Sequence, residues 1–194
     1  MRDIFKLFII VAIFSAVAGL ALAAVQDATK DRIELMELTY VRGPAIQKLF
    51  DGCTNDPLTD RFKIKNGEED LDVFVGEFNG KKNVVAFETS AMGFDGAVGV
   101  MVGYDLDTDE LVGMRVTTHT ETPGVGSRAT SDEAFINQFK GMSIDTGFKV
   151  KADGGDIDAM SGATITSRGV SAAVAGSIDI YKKLKDEIIN KVQS

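Results

Sequence analysis

The residues Val73-Phe74-Val75-Gly76-Glu77-Phe78 and Asn83-Val84-Val85-Ala86-Phe87 lie on either side of Asn79-Gly80-Lys81-Lys82. Short apolar-rich runs of this kind, bounded by turn residues, are typical of β-strands. Asn-Gly is a preferred pair for a tight hairpin turn, because both residues tolerate positive φ. The sequence therefore predicts an antiparallel hairpin within residues 71–89.

A second strand pair follows in the chain. Residues 97–104 and 111–118 are rich in valine and glycine and are separated by the acidic segment 105–110. A calcium-binding loop needs glycine at its sixth position and glutamate at its twelfth, where this chain has Glu110 and Val116. We interpret the segment as an exposed hairpin end and predict no metal site.

Helical patterns lie on both sides of these strands. Residues 27–50 are predicted to form a helix that is broken near Arg42-Gly43-Pro44. Downstream, Thr130-Ser131-Asp132-Glu133 matches a capping box and predicts a short helix through Phe139. Residues 148–151 are predicted to form a further strand.

A long amphipathic helix is predicted from about residue 168 to residue 192. Its apolar side chains recur at helical spacing, at Val170, Val174, Ile178, Tyr181, Leu184 and Ile188. Strand pairs followed by a closing helix predict an α+β fold, an antiparallel sheet with packed helices.

Composition narrows the function. The chain has 194 residues, a formal net charge of −8 and one cysteine, Cys53. The length suits one domain with a small appendage.

No stripe of Lys and Arg accompanies the excess of acidic residues, so we expect no nucleic-acid partner. A lone cysteine excludes an intrachain disulfide and a cysteine-ligated iron–sulfur cluster, so any redox chemistry needs another carrier. We interpret Cys53 as a small buried hydrophobe.

The amino-terminal segment predicts a membrane helix. Residues 7–26 carry no charge, and as a helix they reach ~30 Å, the thickness of the hydrocarbon core of a bilayer. Arg2 and Lys6 precede the segment, which favours a cytoplasmic amino end and an exported body. The alternative is a cleaved signal peptide, since Ala21-Leu22-Ala23 resembles a cleavage site. Both interpretations export the body.

The stretch Asp158-Ala159-Met160-Ser161-Gly162-Ala163-Thr164 carries the strongest chemical signal. Small residues allow a large anionic group to approach the main chain closely. The free amides at the start of the following helix suit a phosphate. Without other features, the same residues could simply cap a helix.

Three motifs together resemble a known family. Asp158-x-x-Ser161-Gly162-Ala163-Thr164 is similar to the motif at which flavin transferases move FMN from FAD onto a threonine. His119-Thr120-Glu121-Thr122-Pro123-Gly124-Val125-Gly126 resembles the Glu-Thr-Pro-Gly-x-Gly loop beside the flavin, and Met92-Gly93-Phe94-Asp95-Gly96 resembles a Gly-Tyr-x-Gly segment. The family is the G subunit of the Rnf electron-transport complex, related to the C subunit of the sodium-pumping NADH:quinone oxidoreductase. Phe94 stands where tyrosine is usual, and Val125 where leucine is common.

The resemblance implies covalent FMN, joined through its phosphate to the hydroxyl of Thr164. Asp158, Gly162 and Ala163 belong to the segment that the transferase recognises. Ser161 is either a hydrogen-bond donor to the phosphate or a loop hydroxyl. Thr166 is the competing hydroxyl, but the motif spacing selects Thr164.

The resemblance also implies flavin contacts in the second motif. Glu121 and Thr122 are candidates for polar contacts to the isoalloxazine ring, and Gly124 permits backbone approach. His119 is either a flavin neighbour or a residue at a strand end. Arg168 either neutralises the phosphate or is an exposed arginine at a helix start.

The function that follows is an electron relay, with no catalytic residue of its own. FMN exchanges electrons singly or in pairs. The partners implied are the other subunits of a membrane complex that couples electron flow between ferredoxin and NAD to ion movement, and a flavin transferase. Two alternatives stay open: the C subunit of the sodium-translocating enzyme, and a membrane-tethered module that binds FMN without a bond.

The expected organisation has three parts. Residues 1–26 form a cytoplasmic start and a transmembrane helix, 27–70 a helical stalk or linker, and 71–194 an FMN-binding domain. The expected location is the inner membrane, as a single-pass protein with its main domain on the extracytoplasmic side.

Overall fold

The amino-terminal helix is long and apolar. The computed structural model describes residues 2–193, apart from the side chain of Asp31, and the chain divides into two units, Met1–Thr39 and Tyr40–Ser194. Helix α1 (Arg2–Glu37) forms the first unit. Within its segment Arg2–Lys30, an 18-residue window has a mean hydropathy of 2.7, so the length and composition of the segment suffice to cross a bilayer. The predicted apolar helix is therefore confirmed.

Five antiparallel strands form the sheet of the second unit. They are β1 (Arg61–Asn66), β2 (Glu69–Phe78), β3 (Lys81–Met92), β4 (Ala97–Asp105) and β5 (Glu110–Thr118). Each pairs with the next in the chain, so the order is β1-β2-β3-β4-β5. The turn between β2 and β3 has φ of 55° at Asn79 and 76° at Gly80, as the hairpin prediction requires. The predicted fold class, an antiparallel α+β sheet with helices, is confirmed.

Strand β1 lies inside residues 27–70, the segment that we expected to be a helical stalk or linker, after the predicted helix of residues 27–50. It pairs with β2, with Ile64 opposite Leu71, and Ile64 is fully buried. The signal was present in the alternation of Phe62 and Ile64 with charged residues. Helix does fill the earlier part, as a π-helical turn (Leu38–Arg42) and helix α2 (Gly43–Leu49).

The core lies between the sheet and a long carboxy-terminal helix, α4 (Thr164–Val192). Three aromatic rings mark the packing: Tyr104 of β4 stacks on Tyr181 of α4 at 4.3 Å between ring centroids, and on Phe87 of β3 at 5.5 Å. Helix α4 begins at Thr164, four positions before the predicted start. The apolar pattern did not predict the first turn, because the buried side chains of that turn, Thr166 and Ser167, are polar.

Between β5 and α4, the predicted short helix is present and continues as a 3₁₀ turn (Asn137–Phe139), but its predicted cap and the strand predicted for residues 148–151 were wrong. The short helix α3 (Glu133–Ile136) is capped by Asp132, whose carboxylate accepts a hydrogen bond from the Phe135 amide, and not by Thr130. Residues 148–151 form no strand: Val150 makes a single bridge to Ile157, and a 3₁₀ turn follows. Both Thr130 and Asp132 have side chains that can cap a helix. The helix that begins after Asp132 places Phe135 and Ile136 in the core.

Candidate functional site

Three loops meet at one end of the sheet and enclose a cavity. The first follows β3, the second follows β5, and the third leads into α4. The cavity measures about 380 Å³, which lies within the range of small-molecule sites. Its lining consists of Phe94, Glu121, Thr122, Val125, Gly126 and the start of α4, namely Gly162, Ala163, Thr164, Ile165 and Thr166. Each of the three sequence motifs thus contributes to one concave site.

Glu121 joins the three loops through its carboxylate. The residue is 4% exposed. Its Oε1 accepts hydrogen bonds from the amides of Phe94, at 2.7 Å, and Asp95, at 3.1 Å. Its Oε2 accepts a hydrogen bond from the hydroxyl of Thr166, at 2.5 Å. One side chain of the second loop therefore fixes the first loop and the first turn of α4.

The electrostatics of Glu121 favour its ionised form. Burial would raise the pKa of the carboxyl group, but the hydrogen bonds from Thr166, Asp95 and Phe94 outweigh burial and hold the pKa below its ordinary value. His119 adds to the same effect through its charge. Glu121 is therefore an anion at neutral pH although it is almost completely enclosed.

Glycines make room for this carboxylate. A Cβ at Gly93 or Gly126 would collide with the carboxylate oxygens of Glu121, and at Gly126 it would also lie 2.8 Å from the Thr166 hydroxyl oxygen. Gly126 belongs to the second motif, so part of that motif serves the packing around Glu121.

Thr164 and Thr166 differ in their access to the cavity. Thr164 is half-buried at the first position of α4, and its hydroxyl has no hydrogen-bond partner within residues 2–193. Thr166 is 1% exposed and donates to Glu121. The preceding turn needs Gly162, which has a φ of 77°. Of the two hydroxyls, that of Thr164 is the one available for chemistry.

The start of α4 suits an anion. Ala163 occupies the cap position, and no side chain caps the helix. The first amides of a helix have no partner within it and carry a partial positive charge. Thr164, Ile165 and Thr166 present this end of the helix to the cavity.

Four of the predicted site residues do not line the cavity. Asp158 is exposed and forms an ion pair with Lys151, at 2.7 Å. Ser161 is exposed. Gly124 donates its amide to Ser127 Oγ at 2.8 Å. The Nδ1 atom of the half-buried His119 is enclosed without a hydrogen-bond partner in the described part of the chain.

Two arginines also bear on the site. Arg168 is exposed and held by two hydrogen bonds to Asp153, at 2.6 and 2.7 Å, so it matches the alternative of an exposed arginine. Arg128 was not predicted. Its guanidinium donates to the backbone oxygens of Val125 and Ser161 and so links the second loop to the third. A lone arginine after a glycine loop carries no sequence signal that would have identified this role.

Comparison with known proteins identifies the family. The FMN-binding domain family matches residues 93–179, which contain all the cavity residues. The G subunit of the ion-translocating oxidoreductase complex from Cereibacter sphaeroides is 31% identical over 188 residues, which cover 93% of this chain and 85% of that protein. This chain belongs to the family of G subunits of ion-translocating oxidoreductase complexes. The G subunit from Vibrio vulnificus agrees, with 30% identity over 195 residues that cover 93% of this chain and 90% of that protein. The family resemblance predicted from the motifs is confirmed.

A solved structure supports the fold of this G-subunit family member. The C subunit of the Na(+)-translocating NADH-quinone reductase from Parabacteroides distasonis superposes with a TM-score of 0.51 and 29% identity. The superposition covers 60% of this chain and 63% of that chain.

The residues that line the cavity of this G-subunit family member fit FMN. The apolar side chains Phe94, Val125 and Ile165 are 67%, 44% and 45% exposed, and all three border the cavity, where they can cover a planar ring system. The uncapped amides at the start of α4 suit a phosphate.

Proposed function

We propose that this chain carries FMN covalently bound through its phosphate to Thr164 and relays electrons within an Rnf-type ion-translocating oxidoreductase complex. The observation that carries the proposal is the position of the Thr164 hydroxyl. It lies unpartnered, among the described residues, at the uncapped start of α4, in a cavity built by all three motifs. FMN supplies the redox chemistry, since it takes up and releases electrons singly or in pairs.

The protein residues hold the cofactor and shield it. The amides of the first turn of α4 bind the phosphate, because they are donors without intrahelical partners. Phe94, Val125 and Ile165 cover the ring system and exclude water from it. Thr122 is exposed at the same cavity and supplies a polar contact at its rim.

The attachment is a transfer of FMN from FAD. The Thr164 oxygen bonds to the phosphorus of the FMN half, the bond between the two phosphates of FAD breaks, AMP leaves and the hydroxyl proton is released. A flavin transferase carries out this step after it recognises the segment from Asp158 to Thr164. Asp158 is suited to recognition because its side chain is 67% exposed and its backbone is fixed by two hydrogen bonds with Gln138.

The test is the intact mass of the full-length chain produced with a flavin transferase. We expect the mass of FMN less one water on the wild type and on Thr166→Val, and no addition on Thr164→Val. The proposal fails if the wild type is unmodified, or if Thr164→Val keeps the addition. Flavin that co-purifies with Thr164→Val but leaves it on a denaturing gel would identify binding that does not need the bond.

The family membership also supports a proposal about the membrane placement of the chain. We propose that α1 anchors the chain in the inner membrane, with residues 71–194, joined by β1, as the FMN-binding domain on the extracytoplasmic side, and with the other subunits of the complex as partners. The segment Arg2–Lys30 is apolar enough to span, and Arg2 and Lys6 favour a cytoplasmic amino end. A carboxy-terminal reporter that is active only outside the cytoplasm should be active on this chain. If the chain is present in the membrane but the reporter is inactive, the proposed orientation is wrong.

A further inference from the structure

Glu121 is an anion held mainly by neutral donors, and His119 is the basic side chain that acts on its charge. Its carboxylate borders the cavity, yet both oxygens are used within the protein, by the amides of Phe94 and Asp95 and by the hydroxyl of Thr166. No lysine or arginine forms an ion pair with it in the part of the chain that the structure describes. Neutral donors stabilise the charge but do not cancel it.

The arrangement limits how Glu121 can act. A carboxylate whose two oxygens already accept three hydrogen bonds has little capacity for the polar contact to the ring that the sequence predicted. Direct contact between Glu121 and the ring stays a prediction. The contacts observed indicate two other effects: the carboxylate fixes the loops around the cavity, and its charge acts on whatever occupies the cavity.

We propose that Glu121 is a positioning residue that holds the β3–β4 loop against the start of α4, and that its enclosed charge makes the bound cofactor harder to reduce. This inference rests on the proposed binding of FMN. Each electron taken from a reductant adds one negative charge to the cavity unless a proton follows it. Two like charges repel strongly where protein replaces water, so reduction beside Glu121 is opposed.

The test is a redox titration of the full-length chain loaded with FMN by a flavin transferase. Dithionite is the reductant, mediator dyes are present, and flavin absorbance is recorded. Glu121→Gln removes the charge and keeps a carbonyl oxygen for the amides of Phe94 and Asp95. Thr166→Val is the matched control, because it removes one hydrogen bond and keeps the charge. We expect a higher midpoint potential for Glu121→Gln and no rise for Thr166→Val.

A second variant separates charge from positioning. Glu121→Asp keeps the charge, but it is one methylene shorter and cannot reach both the Phe94 amide and the Thr166 hydroxyl. We expect a lower melting temperature of the flavin-free protein and no rise in potential. An unchanged melting temperature in Glu121→Asp would overturn the positioning role, and this arm can be read even if Glu121→Gln does not accumulate.

Three further results would overturn the inference: an unchanged potential in Glu121→Gln, equal rises in Glu121→Gln and Thr166→Val, or a raised potential in Glu121→Asp. Failure of the proposed function gives a different result, because the wild type would then carry no flavin and no titration could be recorded.

Discussion

Helix α4 carries two glycines in different surroundings, and they make a matched pair of mutations. A Cβ at Gly169 would lie 2.7 Å from the backbone oxygen of Met92 and 2.9 Å from the Cα of Gly93. A Cβ at Gly176, two turns further along, would meet no atom within 4 Å. Gly169 therefore permits the close approach of α4 to the loop after β3. No neighbouring atom requires a glycine at position 176.

The magnitudes follow from this difference. Alanine in place of either glycine gains about 0.5–1 kcal/mol, because it lowers the entropy lost when the helix forms. At Gly169 the added methyl meets backbone atoms that cannot rotate away, so the packing cost is about 1–3 kcal/mol. We expect Gly176→Ala to be more stable than the wild type and Gly169→Ala to be less stable than Gly176→Ala by that packing cost.

The assay is thermal unfolding of the full-length chain in mild detergent, followed by circular dichroism. For a protein of this size, a cost of about 1–3 kcal/mol separates the melting temperatures of the two variants by roughly 2–12 °C. Gly169→Ala should also hold less flavin, because the displaced loop contains Phe94 of the cavity wall. Equal melting temperatures for the two variants would refute the close approach.

Two further predictions concern the end of α4 remote from the cavity. Asp109 accepts hydrogen bonds from Lys185, at 2.6 Å, and Tyr181, at 2.9 Å, and these outweigh burial and hold the pKa of its carboxyl group below the ordinary value. Its contribution is therefore present above about pH 3.9, the unfolded value, and is lost as the pH falls through the folded pKa. In urea unfolding, Asp109→Asn should lower stability by about 1 kcal/mol at pH 7, discounted for partial exposure, and by less as the pH falls below about 3.9; a loss that does not shrink on acidification contradicts this. Tyr104→Phe removes a buried hydrogen bond to Ser177 but keeps the ring stack, so it should cost about 1 kcal/mol in the same assay; a loss above about 3 kcal/mol would mean that the packing also depends on the hydroxyl.

The sheet could be predicted because its signals are local. The Asn79-Gly80 turn has positive φ at both residues, and the dipeptide alone indicates this. The apolar alternation of β2 and β3 also survives into the structure, with Val73, Val75, Val85 and Phe87 in the core. Strand β1 was missed because it is only six residues long and has two apolar side chains, Phe62 and Ile64, so its alternation with charged residues is a short signal.

The first turn of α4 shows where local signals end. Helix prediction depends on apolar spacing, but Thr166 and Ser167 are buried because each makes a hydrogen bond to another segment or turn: Thr166 to Glu121, and Ser167 to the Met160 amide and the Ala163 carbonyl oxygen. A buried polar side chain is tolerated only when such partners exist. The sequence does not show the partners, so the predicted helix began four residues late.

The same reasoning explains why the motifs identified the site but not the role of Glu121. The motifs lie around residues 93, 121 and 164, far apart in the chain. In an antiparallel meander, the end of β3, the start of β4 and the end of β5 fall at one edge of the sheet, with Met92 paired to Ala97 and Gly99 to Thr118. Topology therefore brings the first two loops together, and the packing of α4 on β3 and β4 adds the third. Glu121 is charged, enclosed and hydrogen-bonded to both other loops, which is best explained if it holds them together. Because its charge then lies at the cavity, it must also act on the molecule bound there.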